Sequence, residues 1–322
     1  MPRWFRIVLR MAAIAAGLVA ATAQAQQYPN RPVRVIVGFA AGSGPDVLAR
    51  AVANQLTADL GQNFFIDNRT GANGTIGIKA AIEAPADGYT LLYSSASIAP
   101  VPHVYKLPYD LVRDLAPIAT IGILDGYLML INPAMPVASV PEFIAFARNN
   151  RVLYGSAGVG NVTHLAAAMF NLKAGLAMEH IPYRGTSEVA TALLAGNIHT
   201  MFVTPPSVLG LTKEGRLRPL ASTGEKPLAE FPQLPVMKDL VPGFAVIGSW
   251  GMFYAPAKTP AAIIEKLNAA VRHALTMPAV ADVVQRAGYM PDGRSAAQTA
   301  EFFRSEVDAA GEVVRAANIS LN

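Results

Sequence analysis

Two stretches of this chain share one layout: an apolar run, a glycine-rich loop, then a helical period. In the first, Val33-Arg34-Val35-Ile36-Val37-Gly38-Phe39 leads into Ala40-Ala41-Gly42-Ser43-Gly44-Pro45-Asp46, after which Leu48, Val52, Leu56 and Leu60 recur every fourth residue. In the second, the run 152–156 leads into Ala157-Gly158-Val159-Gly160-Asn161 and a helix to near Lys173. Strands this apolar are buried on both faces, as in parallel sheets covered by helices. Gly61 suits the left-handed position that ends a helix.

The alternation continues along the chain. Phe64–Asp67 and Thr90–Ser94 read as strands, with a helix over 75–84 between them. Such strand–helix alternation builds a parallel α/β sheet. Further strands are expected at 118–123, 127–131, 178–182, 198–203 and 250–255, with a helix at 187–195. Ser139 with Glu142 and Ser295 with Gln298 are capping boxes that start helices reaching to about Ala147 and Asn318. Thr259-Pro260 reads as a cap followed by proline at the first position of a helix to about Leu275. Two similar α/β lobes, each with a glycine loop at a strand's C-terminal end, place a ligand cleft between them.

The chain has 322 residues, 52% of them hydrophobic and 15% charged, which excludes a mostly disordered protein and allows two domains. It has no cysteine, so disulfides, thiolate metal sites and cysteine nucleophiles are excluded. Residues 1–25 read as a secretory leader. Arg3, Arg6 and Arg10 form the basic region, Met11–Ala23 the apolar region, and Ala23-Gln24-Ala25 the cleavage signal. Cleavage is expected after Ala25, giving an exported product. Without those three arginines, 23 of the 26 basic residues face 22 acidic ones, which carries no nucleic-acid footprint.

The glycine loops suggest anion binding rather than catalysis. Backbone amides at a helix N-terminus hold an anion without a charged side chain. The first loop lacks the Lys-Ser/Thr of a phosphate-binding loop and the third glycine of a dinucleotide fingerprint. A tight turn with Asp46 as N-cap explains it equally well. Gly71-Ala72-Asn73-Gly74-Thr75-Ile76-Gly77 is a second such loop, readable either as a ligand loop or as close packing between domains. In the loop after Tyr154, Ser156 reads as a hydroxyl ligand and His164 as a structural hydrogen-bonder, since no nucleophile elbow is present. His103, His164, His180, His199 and His273 show no metal-binding spacing, and no cofactor is expected.

Taken in order, these segments resemble the Bug (TctC-like) family of extracytoplasmic solute receptors of tripartite tricarboxylate transporters. The resemblance rests on Tyr28–Arg34, Gly38–Asp46, Asn68-Arg69 with Gly71–Gly77, Asp87–Leu91, Leu107–Asp110, Gly155–Leu165 and Ile181–Gly185. It implies a type II periplasmic-binding fold with two Rossmann-like lobes around a central cleft. Residues 26–124 and 248–322 would form one lobe and 125–247 the other. It implies a non-catalytic periplasmic protein, a monomer, that captures a small carboxylate for membrane permease subunits.

The implied ligand residues are Phe39, Ala40, Ala41, Gly42, Ser43, Gly44 and Asp46 of the first loop. Ser94 and Ser97, then Ser156, Ala157, Gly158, Gly160 and Asn161 of the second lobe, and Thr204 on the cleft wall complete the set. By the same resemblance Val203 lies on the cleft wall, where the family commonly has an aspartate. A cleft so poor in acids should disfavour amino-acid ligands, because a buried ammonium needs a partner. Two other readings share these residues: a sensor that presents its bound form to a signalling partner, and an exported α/β hydrolase using Ser156 and His164.

Overall fold

The computed structural model describes residues 28–245 and 247–319, so the expected leader and its cleavage site lie outside the described residues. The chain forms β1 (Val33–Val37), β2 (Phe64–Asn68), β3 (Thr90–Ser95) and β4 (Leu115–Leu124), then crosses into β5 (Leu128–Ile131). It continues through β6 (Leu153–Ser156), β7 (Glu179–Pro182), β8 (Thr200–Val203) and β9 (Arg218–Ser222), and returns with β10 (Ser249–Pro256). The sheets run β2-β1-β3-β10-β4 and β7-β6-β8-β5-β9. β1 lies parallel to β2 and β3, and β6 parallel to β7 and β8. β10 is antiparallel to both β3 and β4, and β5 to both β8 and β9.

Helices of eight or more residues are α1 (Gly44–Leu60), α2 (Thr75–Ile82), α3 (Val140–Asn149), α4 (Val162–Lys173), α5 (Thr186–Leu194), α6 (Ala261–Ala274), α7 (Pro278–Arg286) and α8 (Ala296–Ala316). The two capping boxes start α3 and α8 as expected, and Gly61 ends α1 at φ 69°. Thr259 is not a cap. Pro260 occupies that position, and the Thr259 hydroxyl is buried without a partner among the described residues. Strand β9 and helix α7 are elements the sequence reading did not anticipate.

One face of the first sheet packs Val33, Val35 and Val37 against Leu48, Val52 and Leu56 of α1 and Leu267 and Val271 of α6. Its other face places Ile36, Leu92, Met252 and Tyr254 in a core that runs on into the second lobe, through Phe303 and Val307 of α8 to Leu165 and Phe170 of α4. Helix α8 therefore belongs to both lobes, packing on β4 and on α4. The Trp250 indole N–H donates to Glu306 Oε2 (2.8 Å) and ties β10 to this helix.

The crossing between lobes is tight. A Cβ on Gly126 would meet Gly224 N at 2.5 Å, and one on Gly248 would meet Leu124 O at 2.5 Å. Buried Thr223 holds the same place. Its Oγ1 accepts from Tyr127 N (2.8 Å) and donates to Ile247 O, and its own carbonyl accepts from Ile247 N. Backbone lies against backbone here, so side chains larger than hydrogen have no room.

Candidate ligand-binding cleft

The segments after β2 and β3 meet the loop after β6 across the two lobes, at the C-terminal ends of parallel strands, the usual place for a ligand in open α/β sheets. The loop after β1 packs against the segment after β2.

In the first loop, Ser43, not Asp46, is the N-cap of α1 (φ −69°, ψ 160°), and it makes no side-chain cap bond. Its Oγ is buried with no partner among the described residues. Asp46 is the third residue of the helix's first turn, 1% exposed, and is fully engaged. Its Oδ2 accepts from Gly42 N (2.8 Å) and Arg50 Nε (2.8 Å), and its Oδ1 from Asn68 Nδ2 (2.7 Å). Burial alone would raise the Asp46 carboxyl. The bonds from Arg50, Asn68 and Gly42 outweigh it and hold the carboxyl below the usual carboxylate range. Asp46 and the Gly42 amide thus shape the loop from inside. What remains for an anion is the uncapped, positive end of α1 beneath Ala40, Ala41, Ser43 and Gly44. Phe39 is half-buried and leans on the core.

The loop after β2 packs into this one. A Cβ on Gly38 would lie 3.0 Å from Gly74 Cα, and one on Gly77 would lie 3.3 Å from Gly38 Cα. Ser94, Ser95 and Ser97, all buried, follow at the end of β3, where Ser95 Oγ accepts from Ser97 N (3.4 Å).

In the second lobe most loop amides are already taken. Ala157 N donates to Thr163 Oγ1 (3.1 Å), Gly158 N to Ser156 Oγ (3.2 Å) and Gly160 N to His164 Nδ1 (3.1 Å). Ser156 is 1% exposed, with its hydroxyl 2.6 Å from His180 Nε2 and 3.0 Å from Gly158 O. The hydroxyl expected as a ligand group at Ser156 has partners within the lobe, where pairing of β6 with β7 brings His180 beside it. Asn161 is the N-cap of α4, accepting from Thr163 N (3.0 Å), and its Nδ2 donates to Ser97 Oγ (3.2 Å) across the cleft. Thr204 lies half-buried after β8 with Oγ1 2.7 Å from Ser207 Oγ. Val203 does not line the cleft. It is 1% exposed and packs with Leu128 and Val208 in the second lobe's own core.

Beneath this loop His164 and His180 stack face to face, ring centroids 3.8 Å apart, with Tyr154 5.0 Å from His180. Burial pushes His164 down to about 3, helped by the neighbouring imidazole, and pushes His180 down to about 4. Both rings are neutral near pH 7. Neither His180 nor Asn73 was singled out by sequence reasoning as a site residue. Ser156 pairs with His180 rather than with His164, the base assumed by the hydrolase reading. Among the described residues no group of three His, Cys, Asp or Glu could hold a metal, and no helix is long and apolar enough to cross a membrane.

The family model described as "Tripartite tricarboxylate transporter family receptor" matches residues 48–319. The chain belongs to this receptor family. The Bordetella pertussis protein BugT is 35% identical over 94% of this chain and 94% of its own length. A Cupriavidus necator relative, the UPF0065 protein in the gbd 5' region, is 32% identical over 92% of this chain and 90% of its own. Among solved structures, an R. palustris protein with adipate superimposes at TM-score 0.82 with 30% identity, covering 92% of this chain and 100% of that one. MatC from Rhodopseudomonas palustris, with bound malate, superimposes at TM-score 0.78 with 27% identity, covering 89% and 100%. The periplasmic binding protein BugD does so at 0.80 with 26% identity, covering 91% and 100%. The receptor is a two-lobed α/β solute-binding protein and not an enzyme.

Proposed function

We propose that this receptor is exported to the periplasm and captures a small organic carboxylate without an ammonium group, then passes it to the permease subunits of a tripartite tricarboxylate transporter. The observation that carries this reading is the N-terminus of α1, where Ser43 makes no cap bond and its Oγ is buried without a partner among the described residues. Amides of Ala40, Ala41 and Gly44 and the Ser43 hydroxyl are the groups assigned to the carboxylate. Two neighbours solved with adipate and malate support the ligand class. The exclusion of amino acids rests on Asp46, the sole acid of the two cradle loops, whose charge is already matched by Arg50.

A thermal-shift screen against dicarboxylates, hydroxy-dicarboxylates, benzoate-type acids, aspartate and glutamate tests this. A ligand at 100 times its dissociation constant should add about 2.7 kcal/mol. Stabilisation by aspartate or glutamate above every uncharged-body carboxylate would overturn the ligand class. For export, N-terminal sequencing of the secreted product should start at Gln26. A product that keeps Met11–Ala23 and sediments with membranes would refute cleavage.

A further inference from the structure

The two lobes meet across the cleft through neutral side chains and backbone carbonyls. Asn73 Nδ2 donates to Ser97 O within its own lobe and to Gly160 O of the other, both at 3.4 Å. From the opposite side, Asn161 Nδ2 reaches Ser97 Oγ (3.2 Å) while its Oδ1 caps α4. Tyr105 OH donates to Val159 O (3.4 Å), and Gly160 sits so close to Val104 that a Cβ there would be 3.0 Å from Val104 Cγ1. The stretch Val159–Asn161 is thus touched by four first-lobe residues.

The backbone that presents Asn73 is in an unusual conformation. Ala72 (φ 44°), Asn73 (φ 52°) and Gly74 (φ 86°) are three successive left-handed residues. A left-handed L-residue crowds its Cβ against the following carbonyl, and asparagine tolerates this better than most. The Gly38–Gly74–Gly77 packing holds the loop in place. Strain of this kind persists where surrounding structure over-determines it, and it gathers at clamps and switches.

We propose that Asn73 is a positioning residue: with Ser97 and Asn161 it forms a latch that holds the lobes together and sets how closely the α1 N-terminus approaches the second lobe. It does so without touching the ligand. Asn73 itself bonds only to backbone carbonyls, so its half of the latch depends on the position of the Gly160 loop, while Asn161 supplies the one second-lobe side chain through its bond to Ser97 Oγ. The proposal is independent of which carboxylate binds, because the latch closes on protein groups alone.

The natural absence of cysteine permits a direct test on the whole mature chain without ligand. Spin labels at K79C and K213C, one exposed site on each lobe, report the interlobe distance by pulsed dipolar spectroscopy. Asn73→Gly removes the carboxamide and also relieves the left-handed backbone, so the fold should be as stable as the parent's or more so. The latch predicts a closed-to-open ratio lower by about three- to tenfold, the worth of one or two net hydrogen bonds. Ser97→Ala, which removes the Asn161 acceptor, should shift the ratio the same way. An unchanged distance distribution in both variants overturns the proposal. So does a parent protein that is already fully open, or widening in Asn73→Gly with a lowered thermal midpoint, which would mark Asn73 as a support of its own loop.

Discussion

Replacing Gly126 by alanine is expected to destabilise the receptor by about 1–3 kcal/mol or more, and to do so at the hinge. The new methyl carbon would lie 2.5 Å from Gly224 N and 2.8 Å from Gly224 Cα, both backbone atoms. A side chain could rotate away, but these atoms are fixed by the bonds of Thr223 to Tyr127 and Ile247. The strain can only be relieved by moving the interlobe connections apart. Chemical denaturation should therefore show a lower midpoint, and scattering should show an altered radius of gyration at low denaturant. Gly210→Ala is the control, because its Cβ would meet nothing within 4 Å. Gly210 also lies in the short helix Leu209–Lys213, where alanine is favoured over glycine by about 1 kcal/mol. Equal losses in the two variants, or none in Gly126→Ala, would remove the hinge packing as the cause.

A second large effect is expected in acid. His164 and His180 are held down to about 3 and about 4 by burial, against an ordinary value of about 6.5 in the unfolded chain. The unfolded chain takes up protons first as pH falls. Stability from this pair is therefore complete above about pH 6.5 and is lost progressively toward pH 4. The slope reaches about 1.4 kcal/mol per pH unit for each imidazole. Glu306 acts in the opposite sense, since burial raises its carboxyl. Protonation also puts charge into a stack 3.8 Å apart, and on His164 Nδ1 it removes the acceptor of Gly160 N. Urea unfolding of the parent and of His180→Gln at pH 7, 6 and 5 isolates the contribution. The variant should show the shallower decline, and parallel slopes would assign the acid sensitivity to other groups.

Much of the architecture is written in local periodicity. The β-branched run of β1, the fourfold spacing of Leu48 to Leu60, Gly61 as stop and the boxes at Ser139 and Ser295 are each short-range signals, and each element appears where they fall. β9 lacked such a signal, since Arg218-Pro219 interrupts its apolar pattern and its pairing with β5 spans distant sequence. The ordered set of glycine loops likewise points to the receptor family from sequence alone.

What the sequence could not determine is which polar group meets which. Asp46 looked like a cap because an acid in a glycine loop before a helix usually is one. It is an internal anchor because Arg50 and Asn68, four and 22 residues on, converge on it. Ser156 reads as a ligand hydroxyl from sequence alone, and only the β6–β7 register brings it to His180. Val203 looked like cleft wall, but alternation along β8 turns it into the core. Asn73 lies 87 residues from the carbonyl it reaches in the other lobe. Periodicity is a property of neighbours in the chain and fixes which face of an element is apolar. A hydrogen bond is directional and ends about 3.5 Å from its donor, so its partner is chosen only once distant segments are packed together.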